Sequence, residues 1–153
     1  MRRIAVVDYG LCNLDSIRRA IEICGGKPAV CRDGKGLRQA DMIVLPGVGA
    51  FDVAMKALDA SDMSVVLKEQ AGRGVPLLGI CLGMQLLGST SQEGQNANGL
   101  DLISGDVVLL ERSGNEERVP HMGWNTVQAP ENSRMFAGIA DEHFYFEIGR
   151  AHV

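Results

Sequence analysis

Apolar residues in this chain alternate between short continuous runs and helical spacing. "RIAVVDY", from Arg3 to Tyr9, is a near-continuous apolar run of the kind a strand buried on both faces requires. Leu14, Ile17, Ile21 and Cys24 then recur at helical spacing, with Asn13 placed to cap the helix and Gly25-Gly26 to end it. "KPAVCR" and "DMIVLPG" read as a second and a third strand, "AFDVAMKALDA" and "MSVVLKEQAGR" as helices, "VPLLGI" as a fourth strand and "LGMQLLG" as the start of another helix. Strand and helix in turn predict a parallel sheet with helices on both faces, an open α/β fold.

The pattern changes after Gly99. "LISGDVVLLER" and "RVPHMGWNTVQ" look like longer strands joined by the polar turn "SGNEE", which predicts an antiparallel hairpin in the C-terminal half. A helical turn around "SRMFAGI" leads to a last strand, "HFYF". With no internal repeat or linker, one compact domain is expected.

Composition narrows the function classes. A chain of 153 residues with 46% hydrophobic and 22% charged residues is an ordinary globular chain, long enough to bury a core. A net charge of −4 with scattered Lys and Arg argues against a nucleic-acid or anionic-membrane surface. No apolar run has the length of a membrane span, and "MRRIAVVDYG" carries no signal-peptide pattern, so the cytoplasm is the expected compartment. Cys12, Cys24, Cys31 and Cys81 form no C-x-x-C pair and no metal-ligand spacing with the histidines. Cys24, on the apolar stripe, and Cys31, in a strand, read as small core hydrophobes.

Cys81 is different. Gly79-Ile80-Cys81-Leu82-Gly83 is G-x-C-x-G at a strand-to-helix junction, the thiol counterpart of the G-x-S-x-G nucleophile turn. A nucleophile there stands on a cramped bend, and side chains at the flanking positions would meet neighbouring backbone. The Leu82 N–H then faces the place where an oxyanion forms, at the positive end of a helix. A helix terminus contributes at most ~2 kcal/mol, enough to lower a thiol from about 8.5 by little more than a unit. A working site therefore needs a histidine from elsewhere. "LPGVGAF", Leu45 to Phe51, follows the third strand and lies at the same carboxyl edge of the sheet, and its glycines let backbone amides turn outward toward negative charge.

These motifs together resemble the class I, triad-type glutamine amidotransferases, and among them the amidotransferase subunits of imidazole glycerol phosphate synthase. "VVDYGLCNLDS", "LPGVGAF", "GICLGMQLL" and "VPHMGWN" carry the resemblance, in order, from about Arg3 to Phe146. "PGVGAF" and "PHMGWN" discriminate between subfamilies. The resemblance implies a flavodoxin-like fold and glutamine hydrolysis through a Cys-His-Glu triad, with no cofactor or metal. It also implies a heterodimer in which ammonia passes to a (β/α)8-barrel cyclase subunit in histidine biosynthesis. Cys81 would be the nucleophile, Gly49 and the Leu82 amide the oxyanion donors, and Gly47, Gly83 and Gln85 would help hold glutamine. His121, Met122, Gly123, Trp124 and Asn125 would lie at the partner interface. Core packing stays open for Met122 and Trp124, as does a satisfied imidazole for His121.

The sequence departs from this family at two places. The family's D-Y-G-x-G-N has Cys12 at its second glycine; if that position needs positive φ, a side chain costs ~1–2 kcal/mol. After "FYF" the family continues to an H-P-E-like segment with the catalytic His and Glu, whereas this chain reads "EIGRAHV". Residues 1–146 are thus expected to be the amidotransferase domain, incomplete at its C-terminus. Residues 147–153 read as a non-native tail, similar to a translated sequencing-adapter oligonucleotide. His143 and His152 receive no catalytic role, and the chain as it stands is expected to be inactive. Two alternatives remain open: another cysteine-dependent γ-glutamyl hydrolase or peptidase on the same fold, and a non-catalytic docking subunit.

Overall fold

The computed structural model describes residues 2–93, 97–111, 118–130, 132–139 and 143–152. Its contacts form two units, residues 1–108 with 152–153, and residues 109–151, where the sequence suggests one domain.

The first unit begins with β1 (Arg3–Val7), α1 (Leu14–Ile23), β2 (Lys27–Cys31), a short α2 (Gly34–Leu37) and β3 (Met42–Leu45). It continues through α3 (Phe51–Ala60), α4 (Met63–Gly72), β4 (Leu77–Gly79), the single-turn α5 (Leu82–Gln85), β5 (Thr90–Ser91), β6 (Ala97–Asn98) and β7 (Asp106–Leu109), whose last residue opens the second unit. The four principal strands are parallel in the order β2-β1-β3-β4, the doubly wound order whose switch point falls between β1 and β3. The expected α/β architecture is present. β5 pairs parallel with β7 and antiparallel with β6.

Alternation along β1 and β3 divides the sheet into two faces. Ala5, Val7, Ile43 and Leu45 join the core beneath Phe51, Ala54, Met55, Leu58, Val66 and Leu67 of α3 and α4. On the other face Ile4, Val44 and Leu78 line an apolar groove of about 270 Å³ with Ile17, Ile21 and Cys24 of α1. Helices therefore flank both faces. Cys24 is nonetheless exposed, not a core hydrophobe, because α1 buries no residue fully; Cys31 is buried as expected. Asn13 occupies the N-cap without a side-chain bond, and the helix ends as expected with Gly25 at φ 76°. There the Gly26 N–H bonds the Ile21 carbonyl at 2.8 Å and the Gly25 N–H bonds Glu22 at 2.9 Å.

The second unit holds β8 (His121–Thr126) and β9 (His143–Ile148), paired antiparallel over six positions from His121↔Ile148 to Thr126↔His143. β10 (Arg150–His152) ends the strands. The hairpin exists but joins different strands from those expected: β8 takes β9, and β7 belongs with β5. β9 matches β8 residue for residue along its whole length, a stronger pairing than the short β7 offers. The proposed turn at 113–117 lies outside the described residues. "SRMFAGI" forms turns, held by Ser133 N–H to the Pro130 carbonyl and Ile139 N–H to the Phe136 carbonyl. No helix among the described residues is long and apolar enough to cross a membrane.

Candidate active site

Parallel strands bring their following loops to one edge, and register decides which residues meet there. Ile43 pairs with Leu77 and Leu45 with Gly79; on the other side Ile4 pairs with Met42 and Val6 with Val44. Carrying both registers past the strand ends brings Tyr9, Gly47 and Cys81 level. Pro46 lies just past β3, and the Ile80 N–H reaches back to the Leu45 carbonyl at 3.0 Å, tying the two loops together before the nucleophile turn begins.

Cys81 is exposed, at the N-cap of α5, with φ 55° and ψ −121°. Positive φ at a non-glycine residue is strained by about 1–3 kcal/mol and persists only where the surroundings enforce it. Here both flanking glycines do so. A methyl group at Gly79 would stand 2.5 Å from Met84 Cα and 2.8 Å from the Gly83 carbonyl oxygen; one at Gly83 would run into the Leu45 carbonyl. The G-x-C-x-G spacing is thus a packing requirement. Met84 N–H bonds the Cys81 carbonyl at 3.0 Å, starting the helix, while Leu82 is 3% exposed and anchors the turn in the core.

Gly47 closes the other side. A methyl there would meet the Tyr9 hydroxyl and lie 3.0 Å from the Gly83 nitrogen and 3.1 Å from Leu82 Cβ. The PGVG loop and the nucleophile turn are therefore in direct contact. Of the loop amides, Val48 N–H donates to the Leu11 carbonyl at 2.8 Å. Gly49, exposed, with φ 108° and open space around its α-carbon, makes no hydrogen bond through its N–H among the described residues; nor does Leu82. Gly47 and Gly83 are buried, and Gln85 is half-buried at the end of α5.

Two neighbours escaped the sequence reading. Tyr9 is 8% exposed, and its hydroxyl donates to the Pro46 carbonyl at 3.0 Å. Burial, with the nearby Cys12 and Cys81 thiols adding, pushes its phenol well above the ordinary range. Glu93 accepts a 3.1 Å hydrogen bond from Phe51 N–H, so a carboxylate caps α3 just after the PGVG loop, where Ala50 supplies no side-chain cap. The "DYG" motif gave some signal for Tyr9; nothing local pointed to Glu93.

Cys12 lacks the positive φ that would have strained it. Its thiol points to the Val7 carbonyl and Asp8 Oδ1, each at 3.6 Å, and burial together with the Asp8 charge pushes it up. Asp8 itself is opposed by burial, yet the 2.7 Å bond from Arg32, with Gly10 N–H and the Cys12 thiol, holds its carboxyl below the usual range. Cys12 is a hydrogen-bonded loop anchor.

His152 packs on Gly88 with a buried, unpartnered Nε2, and no hydrogen bond to the Cys81 thiol occurs among the described residues. In the second unit His121, Met122, Trp124 and Asn125 are exposed and Gly123 is half-buried, at φ 143°. Trp124, 72% exposed, meets Tyr145 edge-on with centroids 5.7 Å apart. That exposure disposes of core packing for Met122 and Trp124.

A strained thiol between close-packed glycines, next to a P-G-V-G loop at the carboxyl edge of a parallel sheet, has the geometry of a strand-to-helix nucleophile turn. The family model for class-I glutamine amidotransferases matches residues 5–148, and the chain belongs to that family. Its relatives include the protein of Methanosarcina barkeri called imidazole glycerol phosphate synthase subunit HisH, 45% identical over 148 residues, covering 97% of this chain and 71% of the relative. The protein of the same name from Moorella thermoacetica is 46% identical, covering 95% of this chain and 69% of the relative. Among solved structures, a glutamine amidotransferase superposes with TM-score 0.70 at 14% identity, covering 97% of this chain and 72% of that one. PurLQS from Thermotoga maritima gives 0.63 at 18%, covering 100% and 71%. At those identities the structural likeness speaks for the fold alone.

Proposed function

We propose that this chain is a glutaminase subunit of imidazole glycerol phosphate synthase, with Cys81 as the nucleophile. The carrying observation is the contact between Gly47 and the Leu82–Gly83 turn, which puts the thiol and the PGVG loop at one locus. The 45% identity to the HisH subunit of Methanosarcina barkeri supports the choice of synthase.

The Cys81 thiolate attacks the carboxamide carbon of glutamine. The carbonyl oxygen takes the negative charge and is met by the Gly49 and Leu82 N–H groups, which have no hydrogen-bond partner among the described residues. Each such donor is worth about 3–4 kcal/mol to the transition state. The C–N bond breaks, the nitrogen leaves as ammonia after taking a proton, and water cleaves the glutamyl thioester to glutamate. Gln85, with the Gly47 and Gly83 backbone, holds the substrate. Ammonia passes to a cyclase of (β/α)8-barrel fold, docked in the cytoplasm through His121 to Asn125 on β8.

The proton steps need an imidazole, and among the described residues the Cys81 thiol has no hydrogen bond to one. The 153-residue chain is therefore expected to release little or no ammonia from glutamine, alone or with cyclase. A chloromethyl ketone analogue of glutamine should nevertheless alkylate Cys81, losing chloride as the S–C bond forms, and should do so faster than a chloromethyl ketone lacking the γ-glutamyl frame. Equal rates would sink the glutaminase reading. Robust ammonia release abolished by Cys81→Ala would support the reading but overturn the inactivity.

A further inference from the structure

Tyr9 stands one loop away from the reacting thiol, and the chemistry described so far gives it no task. Its position follows from register: β1 lies beside β3, and the residue level with Gly47 beyond the strand ends is Tyr9. Pro46 has just ended the strand, so its carbonyl lies past the last ladder pair. The Tyr9 hydroxyl bonds it from the side, at 3.0 Å and in a buried setting. The same hydroxyl fills the space where any side chain at Gly47 would go. A buried hydroxyl without a partner is costly, so this bond selects one placement of the Pro46–Gly47 peptide. That peptide in turn abuts the Gly83 nitrogen and Leu82 Cβ.

We propose that Tyr9 is a positioning residue of the glutaminase site: its hydroxyl, by fixing the Pro46 carbonyl and bracing Gly47 against the Leu82–Gly83 turn, sets where the Gly49 amide meets the oxyanion. The inference rests on the glutaminase reading above. A phenylalanine would keep the ring in the core but release the Pro46 carbonyl. The loop would then sample placements in which the Gly49 N–H misses the developing charge, and oxyanion donors act only when held in place. The thiol would keep its strained turn, which Gly79 and Gly83 enforce without help from Tyr9.

The test compares two alkylations of Cys81 in the full chain, at about pH 9.5, where an ordinary thiol is mostly ionised. Iodoacetamide develops no oxyanion to be stabilised, whereas the chloromethyl ketone analogue of glutamine draws on the oxyanion donors at its carbonyl. Tyr9→Phe is expected to leave the iodoacetamide rate unchanged and to lower the chloroketone rate about tenfold or more. Amide exchange at Val48, whose N–H bonds the Leu11 carbonyl, should quicken while that of Ile43 and Val44 stays constant. An unchanged ratio of the two alkylation rates in a folded Tyr9→Phe chain would overturn the inference while leaving the glutaminase reading intact. Loss of γ-glutamyl selectivity in the unsubstituted chain would instead overturn that reading and the inference with it. Should Tyr9→Phe fail to fold, 3-fluorotyrosine, which keeps the hydroxyl as a stronger donor, is expected to hold or raise the ratio; a fall would count against the role.

Discussion

Gly83 lies so close beneath Leu45 that one methyl group on its α-carbon would strike the Leu45 carbonyl, which places the nucleophile turn directly on the end of the central strand. Gly83→Ala must therefore push β3 and α5 apart. The expected cost is about 2 kcal/mol or more, typical of overpacking a rigid backbone contact. Urea unfolding would measure it. Gly49→Ala meets open space and is expected to cost only on the order of 1–2 kcal/mol, from its φ of 108°.

Strain at Cys81 should be recoverable as stability. Its φ of 55° suits glycine, so Cys81→Gly is expected to stabilise the fold by on the order of 1 kcal/mol, after glycine's extra chain entropy is subtracted. The same substitution removes all γ-glutamyl alkylation. A lower denaturation midpoint for Cys81→Gly than for Cys81→Ala would contradict the strain.

The four thiols should separate by accessibility. Cys24 and Cys81 are exposed, Cys31 is buried, and the Cys12 thiol is held in hydrogen bonds beside Asp8. Timed iodoacetamide labelling read by peptide mass spectrometry should modify Cys24 and Cys81 well before Cys12 and Cys31. Burial and the Asp8 charge both raise the Cys12 thiol. Asp8→Asn should speed its labelling.

Asp8 also gives a pH dependence of known sign. Its folded pKa lies below the unfolded value of about 3.9, so its contribution to stability is complete above that pH and is lost as pH falls through the folded pKa. Arg32→Ala removes the 2.7 Å partner, and the acid limb of stability between about pH 2 and 5 should become shallower. An identical acid limb would show that the pair contributes nothing.

Trp124 reports on the hairpin. As the sole tryptophan, and 72% exposed, it should emit at long wavelength and be quenched readily by acrylamide. Adding a cyclase subunit is expected to shift the emission to shorter wavelength and protect it; no change would argue against β8 as the docking strand.

Local pattern was enough for the elements around the site. "RIAVVDY" and "MIVL" became strands because β-branched runs bounded by Gly and Pro have few other ways to bury themselves. The G-x-C-x-G turn could be recognised because its constraint is local: a bend this tight admits no side chains beside the thiol, and the sequence displays that requirement directly. The chain's own residues could thus declare the parallel α/β core and the cramped turn that carries Cys81. Tertiary structure decided the rest: that β8 would pair with β9 rather than with the segment before it, that α1 would leave Cys24 in the open, and that Leu11 would occupy the Val48 amide while Gly49 and Leu82 found no partner for theirs among the described residues. It also brought Tyr9 under Gly47. These outcomes depend on which distant groups the assembled fold brings alongside, and periodicity along a single chain carries no record of its neighbour across the sheet.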